Sequence, residues 1–554
     1  MEKKNDKGYP YRDRKILLID LSNDEYRFIQ LSQDICKNYH GGRALAYKLW
    51  DDYADLTSIN KECLYVGAPI IISLGASSDL ENENIIGSTI LTYSLSLNSI
   101  VSSNFNSIKF VKSLAALDIS AIVIKGRARR LSKIEIFNNI INIELCENLH
   151  NINTFEISQE FDNASSLISI GKSGESRLDY SSINIDNINV GRFGFGASFG
   201  EKNIKLVAFF VKNSNYRNSY YEKEYKEVSS FFNEKSDVNY LEYANKFGWA
   251  AIEGFKYRYD PRLWGLGGEL VKDCKNDWLI NLALGANLGI YDCKKTQMIQ
   301  KYCLDYALDP FSFSVYLLWL FNADEENIID LKVDKNLPKF EKILYIIEFL
   351  CDNKSSFSEI NENVSKLGEK FNHRKYDFSV YNKEILPFDL RGMSGFSLSL
   401  IYDDDTFVPW EMFKKFNKRN SSSALFHSQI YREICESLGV SWKEVLFLVN
   451  HNCSFRNNNN KFLKILTKLF SVCEGYKISE EDLLNFGKRS LFYRKEVESK
   501  INDNINFSTK NIPSYFFTNS KSNFKEKNVL SIAEEVEKYS ILFEHEKEKL
   551  GIKI

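Results

Sequence analysis

Residues 171–210 read GKSGESRLDYSSINIDNINVGRFGFGASFGEKNIKLVAFF. Gly171, Gly174, Gly191, Gly194, Gly196 and Gly200 crowd into this stretch, in a chain with only 27 glycines among 554 residues. Glycine lets a ligand or a second backbone approach closely, at a real entropic cost. Such a density predicts a shaped loop and argues against a solvated linker. The loop runs into Asn203–Phe210, an apolar run with strand character. Alone, the cluster fits tight turns between core strands as well as a ligand cradle.

The N-terminal residues supply its context. His40-Gly41-Gly42-Arg43-Ala44-Leu45-Ala46 opens a helical stretch. Gly67-Ala68-Pro69 follows the strand-like Cys63-Leu64-Tyr65-Val66, and Ala121-Ile122-Val123-Ile124 is a buried strand leading to Gly126. In this order and spacing the pieces resemble the N-terminal domain of the tungsten-containing aldehyde ferredoxin oxidoreductase family. That family reads G-G-R-G-L-A, then G-P-L-T-G, A-I-I-I-x-G-K-A, I-G-x-A-G-E and G-R-G-G-x-G-A. Later stretches are similar to it as well. Leu282–Ile290 resembles L-A-A-L-G-S-N-L-G-I, and Pro387–Met393, which holds Arg391, resembles P-Y-D-P-R-G-M. The resemblance implies an α+β fold: a β-rich N-terminal saddle (1–212) followed by two mainly helical domains (213–390 and 391–554).

Length and composition are compatible with this. A chain of 554 residues can hold several cores. A formal charge of −2 argues against nucleic acid as the partner. No apolar run of ~20 residues and no leader is legible, so membrane attachment is not expected and the cytoplasm is. The ten cysteines form no C-x-x-C pair, and the six histidines show no metal-ligand spacing. His40, beside the Gly41-Gly42-Arg43 turn, is the best ligand-contact candidate among them. Helical patterns occupy 278–288, 311–321, 340–350 and much of 421–554, with Ser479 to Asp482 as a capped start. No internal repeat is legible.

The resemblance also implies chemistry: tungsten held by two pterins, magnesium bridging their phosphates, and a nearby [4Fe–4S] cluster. The cluster needs four thiolates. At the corresponding positions this chain has Lys246, Trp249, Glu253 and Ser441. Neither an ammonium nor an indole replaces a thiolate on iron, so no cluster is expected. The positions that carry over to the pterins are Arg43, Gly171, Gly174, Gly191, Gly194, Gly196, Asp309, Arg391 and Glu436. The first pterin motif, D-x-x-G-L-D, appears as Leu304-Asp305-Tyr306-Ala307-Leu308-Asp309, and the second begins with Glu436. Ser88 stands where an arginine is expected, and the phosphate loop S-N-x-G-G reads Ser103-Asn104-Phe105-Asn106-Ser107. The family's acid–base glutamate falls on Leu279 and its histidine near Pro409, leaving Asp277 and Asp405 as substitutes.

Three functions stay open on these residues. The chain is a silent family member, or one redirected to another small-molecule ligand, paired with itself or with an active paralogous subunit. Alternatively it is a tungsten or molybdenum bispterin oxidoreductase for an aldehyde-like substrate, with another electron route. The third reading is a structural subunit whose cofactor cleft is filled.

Overall fold

The computed structural model describes residues 14–59, 64–80, 82–138, 140–211, 221–236, 278–351, 359–374, 376–386, 394–402, 421–440, 461–501 and 527–552. Its first part is two six-stranded sheets. The strands are β1 (Lys15–Asp20), β2 (Glu25–Gln30), β3 (Ile70–Leu74), β4 (Gly87–Ser94), β5 (Ser99–Asn106) and β6 (Ala121–Lys125) in one sheet. The other holds β7 (Ser132–Phe137), β8 (Ile140–Leu145), β9 (Ser166–Ser169), β10 (Ile183–Ile185), β11 (Ile188–Val190) and β12 (Ile204–Phe209). The strand-like reading of Cys63–Val66 is corrected over its described residues: Leu64–Gly67 forms a helical turn, and Cys63 lies outside the described residues. So short an apolar run carries too little period to separate a strand from a single helical turn.

The two sheets are copies of one plan. Their orders are β2-β1-β6-β3-β4-β5 and, from the matching edge, β8-β7-β12-β9-β10-β11. In each copy the first strand pairs parallel with the sixth, and every other neighbour pairs antiparallel. The expectation of no internal repeat is thereby corrected. The duplication escapes sequence reading because β4 and β5 have eight residues and β10 and β11 only three, so no period is kept.

Strand alternation builds two cores from the first sheet. Leu17, Ile19, Ile72, Ile122 and Ile124 face the second sheet's Ile134, Ile136, Ile168 and Val207. Ile16, Ile71, Leu91 and Val123 point the other way, onto Leu45, Leu49 and Trp50 of α1 (Gly42–Tyr53). Further helices of this part include α2 (Ile108–Ala116), α3 (Thr154–Glu160) and α4 (Phe195–Glu201).

Two helical cores follow. The first gathers α6 (Trp278–Leu284), α7 (Cys293–Asp305), α8 (Pro310–Glu325), α9 (Lys339–Cys351) and α10 (Val364–Lys370). Its axis is α8, apolar on every side, with Phe313, Tyr316, Leu317, Trp319 and Leu320 inaccessible to solvent. The second core contains α11 (Ser421–Leu438), α12 (Lys461–Glu474), α13 (Glu480–Ser499) and Tyr539 of α14 (Lys527–Lys549). The earlier helix α5 (Glu222–Ser236) also packs there, through Val228, Phe231 and Phe232. Ser479 and Asp482 form the expected capping box of α13. No helix among the described residues is long and apolar enough to cross a membrane.

Each sheet receives the end of one helix by the same hydrogen bonds. At the end of α11, Leu438 O accepts from the Ser77 amide (2.8 Å) and Gly439 O from the Gly87 amide (2.7 Å). At the end of α7, Tyr306 O accepts from the Ser173 amide (3.4 Å) and Ala307 O from the Ser182 amide (2.7 Å). Both helices close with the same reversal, Val440 N to Cys435 O and Leu308 N to Cys303 O. The reversal demands positive φ. Gly439 has φ 97, but Ala307 holds φ 53 with a side chain. The left-handed cost is about 1–2 kcal/mol, and glycine's extra entropy recovers less than that. Ala307→Gly is therefore expected to stabilise the protein by about 0.5 kcal/mol. A higher urea midpoint would bear this out, and a lower one would refute it.

Candidate functional site

The glycine stretch serves mainly to bring main chains together. A Cβ on Gly171 would lie 2.4 Å from Tyr306 O, on Gly196 2.4 Å from Ser182 O, and on Gly200 2.1 Å from Gly174 O. Gly191 curls over the ring of its own Phe195. Gly194 alone has room: its nearest neighbours, Ala197 Cβ and Asp179 O, are 3.7 Å away. So Gly171, Gly174 and Gly196 close the seam to α7 and α4, while Gly194, also buried, is packed loosely enough for a methyl group to make only ordinary contacts.

A polar cluster that includes Asp179 lies beside Gly194. Asp309 caps α8, accepting from the amides of Phe311 (3.3 Å) and Ser312 (2.8 Å). Arg192, inside the glycine stretch, holds Asp309 at 3.1 Å and also reaches Ser312 Oγ and Glu384 O, both at 2.9 Å. Asp179 accepts from the Asn363 amide (3.0 Å), and the Glu384 carboxylate accepts from Val364 N (3.4 Å). The Asn363 amide side chain donates to Ser96 O of the first sheet (3.3 Å). Burial pushes Asp179 up to about 6, against Lys366 and the Asn363 amide, with Glu362 adding to the rise. Burial pushes Glu384 up to about 8, against its backbone hydrogen bonds and Arg192, with Asp179 adding to the rise. Two carboxyls whose environments separate their proton affinities are suited to acid and base roles at neutral pH. Sequence reading missed both. Their only signal was chain position beside Arg192 and the Pro387–Met393 motif, and the pairing spans some two hundred residues.

The pair also sets a pH dependence. A raised folded pKa means the folded protein keeps protons that the unfolded chain releases above about pH 4. Stability should therefore fall as pH rises from about 4 toward 8, and level off beyond. Glu384→Gln should remove its share of the slope, at most about 1.4 kcal/mol per pH unit. Urea unfolding of both proteins between these limits reads the effect. Parallel curves would contradict it.

Arg43 and Glu436 face one another in the first seam. Arg43 Nη1 lies 2.6 Å from Glu436, and its Nε lies 3.2 Å from Glu433. Arg432 holds the other Glu436 oxygen at 2.8 Å, and Arg494 holds Glu433 at 2.8 Å. Glu498 completes the set, 3.1 Å from Arg494 and accepting from Tyr47 at 2.9 Å. Three cations thus meet three anions, with Arg43, Glu433, Glu436 and Arg494 almost wholly buried. His40 is packing: it sits edge-on against Phe470 and Phe486, beside Glu474. Asp277, Arg391, Asp405, Lys246, Trp249, Glu253 and Ser441 lie outside the described residues.

The residues present do not fit two pterin diphosphates. Glu436 engages arginines through both oxygens, and Leu304 supplies no carboxylate in the matching turn. Ser88, in the arginine's place, is buried with a hydroxyl that has no partner among the described residues. Phe105 fills the core between the sheets, and Ser107 gives its hydroxyl to Asp186. An anion loop closed by a carboxylate repels a phosphate. Among the described residues, no three His, Cys, Asp or Glu side chains converge as a metal site. Cys146, one of the buried free thiols, is pushed by burial up to about 12, far from a thiolate.

Comparison with known proteins agrees with this architecture. Residues 16–210 match the aldehyde ferredoxin oxidoreductase N-terminal domain, and residues 276–540 match domains 2 and 3 of the same family. A curated relative, the WOR-like subunit of an aliphatic sulfonate oxidoreductase from Pyrococcus furiosus, is 25% identical over 233 residues. That match spans 38% of this chain and only 36% of the relative. The solved active site complex BamBC of benzoyl coenzyme A reductase, with 1,5-dienoyl-CoA, has a TM-score of 0.73 at 14% identity. It covers 97% of this chain and 96% of that one, a likeness of fold. With both family models matched over most of its length, the chain belongs to the aldehyde ferredoxin oxidoreductase family.

Proposed function

We propose that the chain is a subunit of an aldehyde-oxidoreductase-like assembly that carries no [4Fe–4S] cluster and does no redox chemistry of its own. The observation that carries this reading is the closure of Arg43 and Glu436 onto each other and onto Arg432 and Glu433. Groups that the resemblance puts on a pterin are neutralised within the protein. The lack of thiolates at Lys246, Trp249, Glu253 and Ser441 supports it. Pairing with an active paralogue is in keeping with the relatives, one described as a subunit and the other as a complex.

The Arg192 cluster favours a second reading, a family member redirected to another small molecule. At neutral pH a protonated Glu384 can donate and an ionised Asp179 can accept, which suits a ligand bearing carbonyl and hydroxyl groups. Electron paramagnetic resonance on the dithionite-reduced chain, purified without oxygen, tests the first reading. No cluster signal is expected. A reduced-cluster signal near stoichiometry would overturn it. Co-expression with an active family member from the same genome should yield a joint complex on size exclusion, and separate elution would count against the partnership.

A further inference from the structure

Asp186 stands on the two-residue turn between β10 and β11, where Asp186 (φ 49) and Asn187 (φ 69) are both left-handed. Its carboxylate reaches across to the first half of the duplicated sheets. One oxygen accepts from Ser107, the N-cap of α2, and from Ser166 Oγ at 2.9 Å. The other accepts from the Leu167 amide at 2.9 Å. A reciprocal contact exists in the other half. There Ser94, at the end of β4, donates to Phe193 O (2.7 Å), in the loop that follows β11. Each half's hairpin therefore closes the strand-to-helix loop of its twin.

We infer that Asp186 is the built-in occupant of the first loop, a carboxylate supplied by the protein where an external phosphate would be held. The inference rests on the reading that this loop no longer takes a dinucleotide. Carboxylate and phosphate oxygens accept from the same hydroxyl and amide donors, so one anion excludes the other. Ser166 and Leu167 lie on β9, which β10 already pairs with and to which the Asp186 amide donates at Leu167 O (3.0 Å). The donor that a hairpin turn alone would not need is Ser107, the N-cap of α2 in the other half.

Equilibrium dialysis of the full chain against radiolabelled inorganic phosphate, at matched ionic strength, tests this. The wild-type protein is expected to retain no phosphate above the background of an unrelated protein. Asp186→Ala should bind at least tenfold more tightly than wild type, and its melting temperature should rise with phosphate but not with potassium chloride. Asp186→Asn keeps an acceptor oxygen without the charge and should fall between the two. It is the variant read if Asp186→Ala does not fold. Wild-type binding equal to the variants, or folded variants with no gain, would overturn the inference. A pterin dinucleotide extracted from the wild-type protein would instead overturn the proposed function, whatever the Asp186 variants do.

Discussion

Arg43→Ala is expected to cost about 3–5 kcal/mol of folding stability, because it leaves Glu433 and Glu436 partly uncompensated in a buried site. The loss lies in stranded charge more than in lost attraction. Removing one partner of a buried pair is costly, whereas removing both is often nearly neutral. The double variant Arg43→Met with Glu436→Gln should therefore recover most of the loss, since the glutamine oxygen still accepts from Arg432. Urea unfolding of the single and double variants measures this as a coupling energy. A cost below about 1 kcal/mol for Arg43→Ala would mean that water reaches the network.

Gly42→Ala should do comparable damage by geometry alone. Its Cβ would fall 1.9 Å from Glu436 O and 3.0 Å from Ser437 Cα, against main chain that has nowhere to go. The residue also holds φ 46. Together these are expected to cost about 4 kcal/mol or more, the range of severe core mutations, and to part α1 from the end of α11. Hydrogen exchange at the amides of Ala76 and Ser77, which donate to Ser437 O and Leu438 O, reports the parting. Gly194→Ala is the control. With its nearest neighbours at an ordinary 3.7 Å and φ 82, it should cost only the left-handed penalty of about 1–2 kcal/mol. Equal losses in the two variants would refute close approach as the reason for Gly42.

Much of the fold was legible from local signals. Ala121–Ile124 read as a strand because its unbroken apolar residues are buried on both faces, and it belongs to the first sheet. The capped start at Ser479 was visible in four residues. The glycine stretch indicated the family, although most of its glycines turn out to serve contacts between main chains. The duplication was not legible, because unequal strands and loops erase the period. Nor was the Arg192 cluster, since Asp179, Asp309 and Glu384 come from three distant segments. Arg43 and Glu436 were each singled out as ligand contacts, but their mutual closure needs the seam between α1 and α11. Residue identity alone could not distinguish a pterin contact from an internal ion pair.

Elemental analysis of the full chain, purified without oxygen and read for iron, tungsten and molybdenum together, decides whether the scaffold has lost its metals. An inherited scaffold whose thiolates are gone and whose pterin contacts are neutralised internally should carry all three only at trace level. Iron at about four per chain, or tungsten or molybdenum at about one, would contradict the account.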